Sequence, residues 1–212
     1  MEKKIFKSHK SLVSIDEVGK GSLAGPLVVC GVYLSKNDFK KISNYGIKFF
    51  DSKLLTLKER LFFEKLIKKL KIKFKIVKIS NQKIDKLGIN QAFILAISRI
   101  VKYFNENKVF LIDGPKPINL NLKNCMFYIK GDKKLSSISM SSILAKTYRD
   151  KLMIKISKKY PQYFFELNKG YGTKKHIEIL KKIGPSPLHR KSFLKNILNF
   201  NKLNLNIKNF KF

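Results

Sequence analysis

Hydrophobic positions along the chain follow two rhythms. Short runs rich in β-branched and aromatic residues occur at 11–17 (SLVSIDE), 27–34 (LVVCGVYL), 72–79 (IKFKIVKI), 108–113 (KVFLID) and 125–130 (CMFYIK), and such runs predict strands. Elsewhere apolar residues recur at helical spacing. In 56–70, Leu57, Leu61 or Phe62, and Leu66 are separated by charges. A second segment runs from about 89 to 105. A third covers 135–158, where Leu144, Tyr148, Leu152 and Ile156 step by four. Shorter helices are expected at 173–183 and 190–198. Two strands, then helix–strand–helix–strand–strand, then helices alone, describe an α/β fold. Its sheet should mix parallel and antiparallel pairs, with helices gathered toward the C-terminal end.

Composition narrows this little. No apolar run reaches the roughly 18 residues needed to span a bilayer, and MEKKIFKSHK is not followed by a signal-peptide core. The expectation is a soluble, cytoplasmic chain whose 212 residues form one domain. Cys30 and Cys125 sit inside apolar runs and read as free buried thiols. There are 46 Lys+Arg against 14 Asp+Glu, a formal net charge of +32. That charge favours a polyanion such as nucleic acid. An AT-rich genome explains the abundance of Lys, Asn, Ile and Phe equally well. The closing NFNKLNLNIKNFKF, basic with interleaved aromatics, reads more simply as a frayed tail than as a grip on nucleic acid.

The few acids carry more information. Glu59, Glu64 and Glu178 lie in amphipathic helices, where solvated or i,i+4 paired charges are ordinary. Glu2, Asp38, Asp85, Glu106 and Glu166 lie near element ends or in polar surroundings. Asp16–Glu17, Asp51, Asp113, Asp132 and Asp150 remain. Asp16 ends LVSI, Asp113 ends VFLI and Asp132 follows MFYIKG. Any one strand-end Asp is ordinarily a turn former or cap, but three on one pattern in an acid-poor chain point to a shared site. Neighbouring strands lie about 4.8 Å apart, so such carboxylates converge readily. Hard oxygen ligands without a His or Cys cluster suit Mg²⁺ or Mn²⁺. Two such ions would clamp the attacking and leaving oxygens of a phosphodiester displacement. Adjacent strand residues face opposite sides, so Asp16 and Glu17 reach the same metals only if the strand ends or bulges at Glu17. Gly19 and Gly21 follow in a turn that exposes backbone to a ligand, and backbone groups can read a 2′-OH.

The stretches IDEVGKGSLAGPLV, DSKLL, LIDG, IKGDKK, SILAKTYRDKLM, KGYGTKKH and GPSPLHRKSF, in this order over residues 12–194, resemble the ribonuclease HII family. The resemblance implies a ribonuclease H-like fold, a mixed five-stranded sheet flanked by helices with a helical C-terminal extension. It divides the single domain into an α/β core at about 12–160, a helical region at about 161–198 and a basic tail at 199–212. It implies hydrolysis of the RNA strand of RNA–DNA hybrids and nicking 5′ of single ribonucleotides in duplex DNA, leaving 3′-hydroxyl and 5′-phosphate ends. By resemblance, the metal-binding carboxylates are Asp16, Glu17, Asp113 and Asp132, serving two Mn²⁺ or Mg²⁺ ions. Asp150 falls in a structural Arg-Asp pair. Gly19, Lys20 and Gly21 match the turn that reads the 2′-OH, Tyr171 the stacking tyrosine, and Lys53 a basic position near the scissile phosphate. The expected partners are hybrid and ribonucleotide-containing duplexes, with no membrane and no obligate protein partner, the chain acting as a monomer.

Some positions depart from the family pattern. The turn is commonly G-R-G and here is G-K-G, Asn168 replaces a frequent His before KGYGT, and SSISMSS replaces an alanine-rich run. The sister ribonuclease HIII family often carries G-K-G, but normally with an extra N-terminal domain, and only about a dozen residues precede SIDE here. A non-catalytic nucleic-acid binder on a decayed nuclease scaffold is a further reading, disfavoured because all four carboxylates are present. Only Arg60, Arg99, Arg149 and Arg190 are arginines. Two of them lie in matched motifs, a hint of geometry that lysine cannot supply.

Overall fold

The computed structural model describes residues 2–44, 52 and 54–198. Five strands form one sheet in the order β3-β2-β1-β4-β5: β1 Ser11–Val18, β2 Leu27–Ser35, β3 Phe74–Ile79, β4 Val109–Asp113 and β5 Cys125–Tyr128. Each begins or ends within two residues of the expected run. β1 pairs antiparallel with β2 and parallel with β4, and β4 pairs parallel with β5, so the sheet is mixed as expected.

The helices are α1 Glu2–Ser8, α2 Lys36–Asn44, α3 Leu57–Lys69, α4 Asn81–Leu87, α5 Ile89–Phe104, α6 Gly131–Lys134, α7 Ser136–Ser157, α8 Phe165–Asn168, α9 Lys174–Ile183 and α10 Lys191–Leu198. Helices α3, α5, α7, α9 and α10 match the periodic segments. The pattern does not foretell α1, α2, α4, α6 and α8, because each is too short, with too few apolar positions, to set a period. α2 nevertheless carries a start signal: Ser35 Oγ accepts from Asp38 N–H at 3.1 Å while the Asp38 carboxylate accepts from Ser35 N–H at 3.0 Å, a reciprocal cap.

The chain packs as two compact units. Among the described residues the first holds 2–18, 28–44, 52, 54–78 and 93–149, with all of the sheet but Leu27 and Ile79. Its core joins Leu12, Val28, Cys30, Val32 and Leu34 of the sheet to Ile138, Met140, Ile143 and Leu144 of α7. The polar run on α7 is turned inward. Ser14 Oγ donates to the Ser137 carbonyl at 2.6 Å, and Ser141 Oγ donates to the Ser14 carbonyl at 3.0 Å. These bonds satisfy hydroxyls that burial would otherwise strand. Glu2, given no role from sequence, reaches the first turn of α7, where its carboxylate accepts from Ser136 N–H and Ser137 N–H at 3.1 and 2.8 Å. Positive partial charge at a helix start favours such an anion.

The second unit holds the described residues 19–27, 79–92 and 150–198. Leu23, Ala24, Met153, Tyr163, Phe165, Leu180, Leu194 and Leu198 form its apolar cluster. Asp85 of α4 caps α10 here, accepting from Lys191 N–H at 3.0 Å and Ser192 N–H at 2.9 Å. No helix among the described residues is long and apolar enough to cross a membrane. Cys30 and Cys125 are free thiols. Cys30 is buried as expected, whereas Cys125 is only half-buried because β5 is an edge strand.

Candidate active site

Parallel pairing between β1 and β4 ends at Ile15 opposite Ile112, and the next residue on each strand is an aspartate. Asp16 and Asp113 therefore leave the same edge of the sheet side by side. β5 delivers the third acid differently. Lys130 adopts a left-handed conformation (φ 56°) that turns the chain into α6, and Asp132 is the second residue of that helix. The Asp113 carboxylate secures the turn by accepting from Gly131 N–H at 2.6 Å. One carboxylate oxygen from each of Asp16, Asp113 and Asp132 lies within 4.8 Å of the others.

Glu17 is not in that group. β1 neither ends nor bulges at this residue, since its register with β2 runs unbroken from Ser11 opposite Ser35 to Val18 opposite Val28. Successive residues of a regular strand alternate faces, and the register has no bulge that would bring Glu17 round to the side of Asp16. The Glu17 charge is still felt. The Asp16 carboxyl is held well above the usual carboxylate range, first by burial and then by the charges of Glu17 and Asp113. Hydrogen bonds from the Ser142 hydroxyl and from Glu17 N–H, the latter at 2.7 Å, act in the opposite direction. Ser142 in turn shares a 2.8 Å hydrogen bond with buried Ser52. Sequence reasoning missed Ser142; the polar replacement of an alanine-rich run was the available signal.

This donor set suits a hard divalent cation. Three carboxylates converge, two of them only 4% exposed, and no histidine is in the group. Cys30, paired with Asp16 across the sheet, is kept a neutral thiol because burial and the Asp16 charge push its pKa up. Like charges crowded out of water call for compensation by a cation. Asp150, buried on α7, lies outside the cluster. Asp51 and Lys53, like the tail at 199–212, fall outside the described residues.

The glycine turn belongs to the second unit. Gly19 has φ +84°, a conformation that glycine adopts without strain. Its carbonyl accepts from Ser22 Oγ at 2.9 Å and from Arg190 Nη2 at 2.7 Å; the Lys20 carbonyl accepts from Arg190 Nη1 at 2.9 Å, and Gly25 O from Arg190 Nε at 3.1 Å. Gly21 differs from Gly19. Its backbone is not left-handed, a Cβ there would meet nothing within 4 Å, and it is exposed. The protein's own packing gives no reason for glycine at this position.

Tyr171 is half-buried, and its hydroxyl accepts from Gly19 N–H at 3.2 Å. Asn168 ties the preceding loop, accepting from Gly170 N–H and donating to the Tyr163 carbonyl, both at 2.7 Å. Beneath lies a buried histidine pair that sequence reasoning did not weigh. Ser186 N–H donates to His189 Nδ1 at 2.9 Å, so His189 carries its proton on Nε2. That proton faces His176 Nε2 at 3.0 Å, which leaves His176 Nδ1–H to donate to the Tyr171 carbonyl at 2.8 Å. Both ends of the relay require two neutral rings. Burial, and then the neighbouring His176, push the His189 pKa down to about 3; burial also lowers that of His176.

The fold is that of solved ribonucleases H of the type 2 and type 3 groups. The ribonuclease H2 of Pyrococcus horikoshii superposes with a TM-score of 0.69 at 23% identity, over 91% of this chain and 100% of that one. The ribonuclease HIII named Bst-RNase HIII, solved in complex with Mn²⁺, gives 0.66 at 18% identity, over 91% of this chain and 70% of that one. The chain thus has a ribonuclease H-like α/β fold, with two aspartates leaving neighbouring strands and a third following on α6.

The family follows from sequence. The Ribonuclease HII family model matches residues 13–196, and the ribonuclease HII of Caldicellulosiruptor bescii is 44% identical over 199 residues, 93% of each chain. The chain belongs to the ribonuclease HII family and is a metal-dependent endonuclease acting on RNA–DNA hybrids.

Proposed function

We propose that this chain cleaves the RNA strand of hybrids and nicks duplex DNA on the 5′ side of a single embedded ribonucleotide, leaving 3′-hydroxyl and 5′-phosphate ends. The observation that carries this reading is the convergence of Asp16, Asp113 and Asp132 within 4.8 Å. These three would hold two divalent ions, Mn²⁺ or Mg²⁺, with Glu17 adding a fourth negative charge. Bound there, the ions would activate the attacking water and neutralise charge on the phosphate. Asp16 is kept in place by the Ser142 hydroxyl and by the backbone of Glu17, and Asp113 by Gly131 N–H, so the carboxylates are oriented before any substrate arrives.

Recognition is assigned to the second unit. Gly21 offers exposed backbone with open space where a side chain would stand, which suits contact with a ribose 2′-OH. Tyr171 would stack beside the ribonucleotide, and Lys53 would approach the scissile phosphate. The test is a DNA duplex containing one ribonucleotide, incubated with Mg²⁺ or Mn²⁺, with Asp113→Asn as control. A single nick 5′ of the ribonucleotide, lost in the variant, is expected. No nick in the wild type, or an unimpaired variant, would sink the reading.

A further inference from the structure

We propose that Arg190 is the positioning residue that sets ribonucleotide selectivity; this rests on the recognition role given above to the Gly19–Gly21 turn. Four arginines occur among 46 basic residues, and Arg60, Arg149 and Arg190 are buried, the last two completely. A chain that uses lysine for nearly every exposed cation has kept guanidinium where the cation is enclosed. Enclosure demands several donors in a fixed plane, which an ammonium on a flexible stem does not provide.

Arg190 directs that plane at the turn. Its Nη2, Nη1 and Nε donate to the carbonyls of Gly19, Lys20 and Gly25 at 2.7, 2.9 and 3.1 Å, and its guanidinium lies 5.1 Å from the Phe193 ring centroid. Arg190 N–H also donates to the Leu23 carbonyl at 2.8 Å. One side chain thereby fixes both ends of the Gly19–Gly25 segment. Two consequences follow for a ligand. The Gly19 and Lys20 carbonyls point inward, engaged by the guanidinium, so the edge presented outward centres on Gly21, where space is open. The turn also cannot shift without breaking charge-assisted hydrogen bonds in a buried setting. Arg190 touches no substrate in this role and acts through the backbone it holds.

The distinction matters most for a lone ribonucleotide. In an uninterrupted hybrid every nucleotide of the RNA strand presents a 2′-OH, so a displaced turn still meets a ribose in an adjacent register. In duplex DNA with one ribonucleotide there is a single correct register. A misplacement of about 1 Å costs on the order of 100-fold in rate at such a site.

The experiment compares full-length wild type, Arg190→Lys and Ser22→Ala on a hybrid and on a single-ribonucleotide duplex, with folding followed by circular dichroism. Arg190→Lys is expected to lower the ratio of single-ribonucleotide to hybrid cleavage by roughly tenfold or more, mainly in kcat, and to scatter the cut position. Ser22→Ala removes one donor to the Gly19 carbonyl and should lower the same ratio by less; it decides the matter if Arg190→Lys does not fold. A folded Arg190→Lys with the wild-type ratio, or two activities falling in parallel, overturns the assignment. In the fallback, an unchanged ratio in Ser22→Ala does the same. A wild type that nicks no single-ribonucleotide duplex overturns the recognition reading itself, and this inference with it.

Discussion

The two polar centres of the chain are built on opposite principles. Where β1, β4 and α6 of the first unit meet, three aspartates of like charge converge, and burial and repulsion hold Asp16 well above its ordinary pKa. In the second unit the buried groups answer one another. Arg190 meets carbonyl oxygens, and the neutral His189–His176 relay ends on the Tyr171 carbonyl. The first centre concentrates negative charge that a divalent cation would offset. The second is complete in itself, as a rigid scaffold requires. Breaking the first should remove activity and spare the fold, whereas breaking the second should loosen a presented backbone.

The sharpest test of that contrast is Asp113→Asn. The amide oxygen can still accept from Gly131 N–H, so the turn into α6 survives while one charge is lost. Activity should fall by roughly 10³-fold, the several kcal/mol expected of metal-assisted charge stabilisation. Stability in EDTA should be unchanged or slightly higher, because repulsion of Asp16 is relieved. The gain in Tm on adding Mn²⁺ should shrink. A Tm falling in EDTA as steeply as activity would show that the acids hold the fold together.

Opposite pH responses form the second test. The His189 pKa lies near 3 in the fold, against about 6.5 in an unfolded chain. Between those values the unfolded state binds a proton that the folded state refuses. Stability is therefore lost as pH falls from about 6.5 toward 3, at about 1.4 kcal/mol per unit from this group. Asp16 has the reverse sign. Its folded pKa is raised, so the metal-free fold binds the extra proton and loses stability as pH rises from the ordinary carboxylate value through the raised one. Urea melts in EDTA should show a shallower acid limb for His189→Gln and a flatter neutral limb for Asp16→Asn. Parallel curves for either pair contradict the corresponding assignment.

Ser142→Ala probes how far the first centre is organised before metal arrives. The hydroxyl donates to Asp16 and pairs with Ser52, so its loss frees the carboxylate to rotate. Partners of metal ligands are typically worth 10–100-fold, and a roughly tenfold weaker Mn²⁺ affinity by calorimetry is expected, with little change in Tm.

What the sequence disclosed follows from the range of each interaction. Asp16 and Asp113 were legible because each directly follows an apolar β-run, LVSI and VFLI. Their meeting follows from a parallel pairing that an α/β pattern anticipates. Glu17 stands next to Asp16 in sequence but outside the group of three that lies within 4.8 Å, a distance that the string does not carry. Local context gives Glu2 and Asp85 no role, yet each caps a helix more than 100 residues away. Their partners are fixed by tertiary packing, which leaves no mark on nearby sequence. Arg190 was half visible: its rarity hinted at a geometric role, but nothing in the string says which carbonyls it meets.

Lys20→Arg has the smallest expected effect and separates side chain from backbone in the turn. The change restores the arginine common in the family, and a reading based on side chains would expect tighter phosphate contact and faster cleavage. The structure puts the weight elsewhere. The carbonyl of residue 20 is held by Arg190 at 2.9 Å, Gly19 supplies the left-handed conformation and Gly21 supplies the open space. None of these depends on what residue 20 carries beyond its Cβ. In a chain of formal charge +32, exchanging one cation for another leaves the long-range attraction to a duplex unchanged. Single-ribonucleotide nicking by Lys20→Arg should thus stay within about fivefold of wild type, the span of a single charged contact worth about 0.2–1 kcal/mol. The cut position should not move. A gain of tenfold or more would show that residue 20 reads the substrate through its side chain, and would shift selectivity away from the backbone that Arg190 holds.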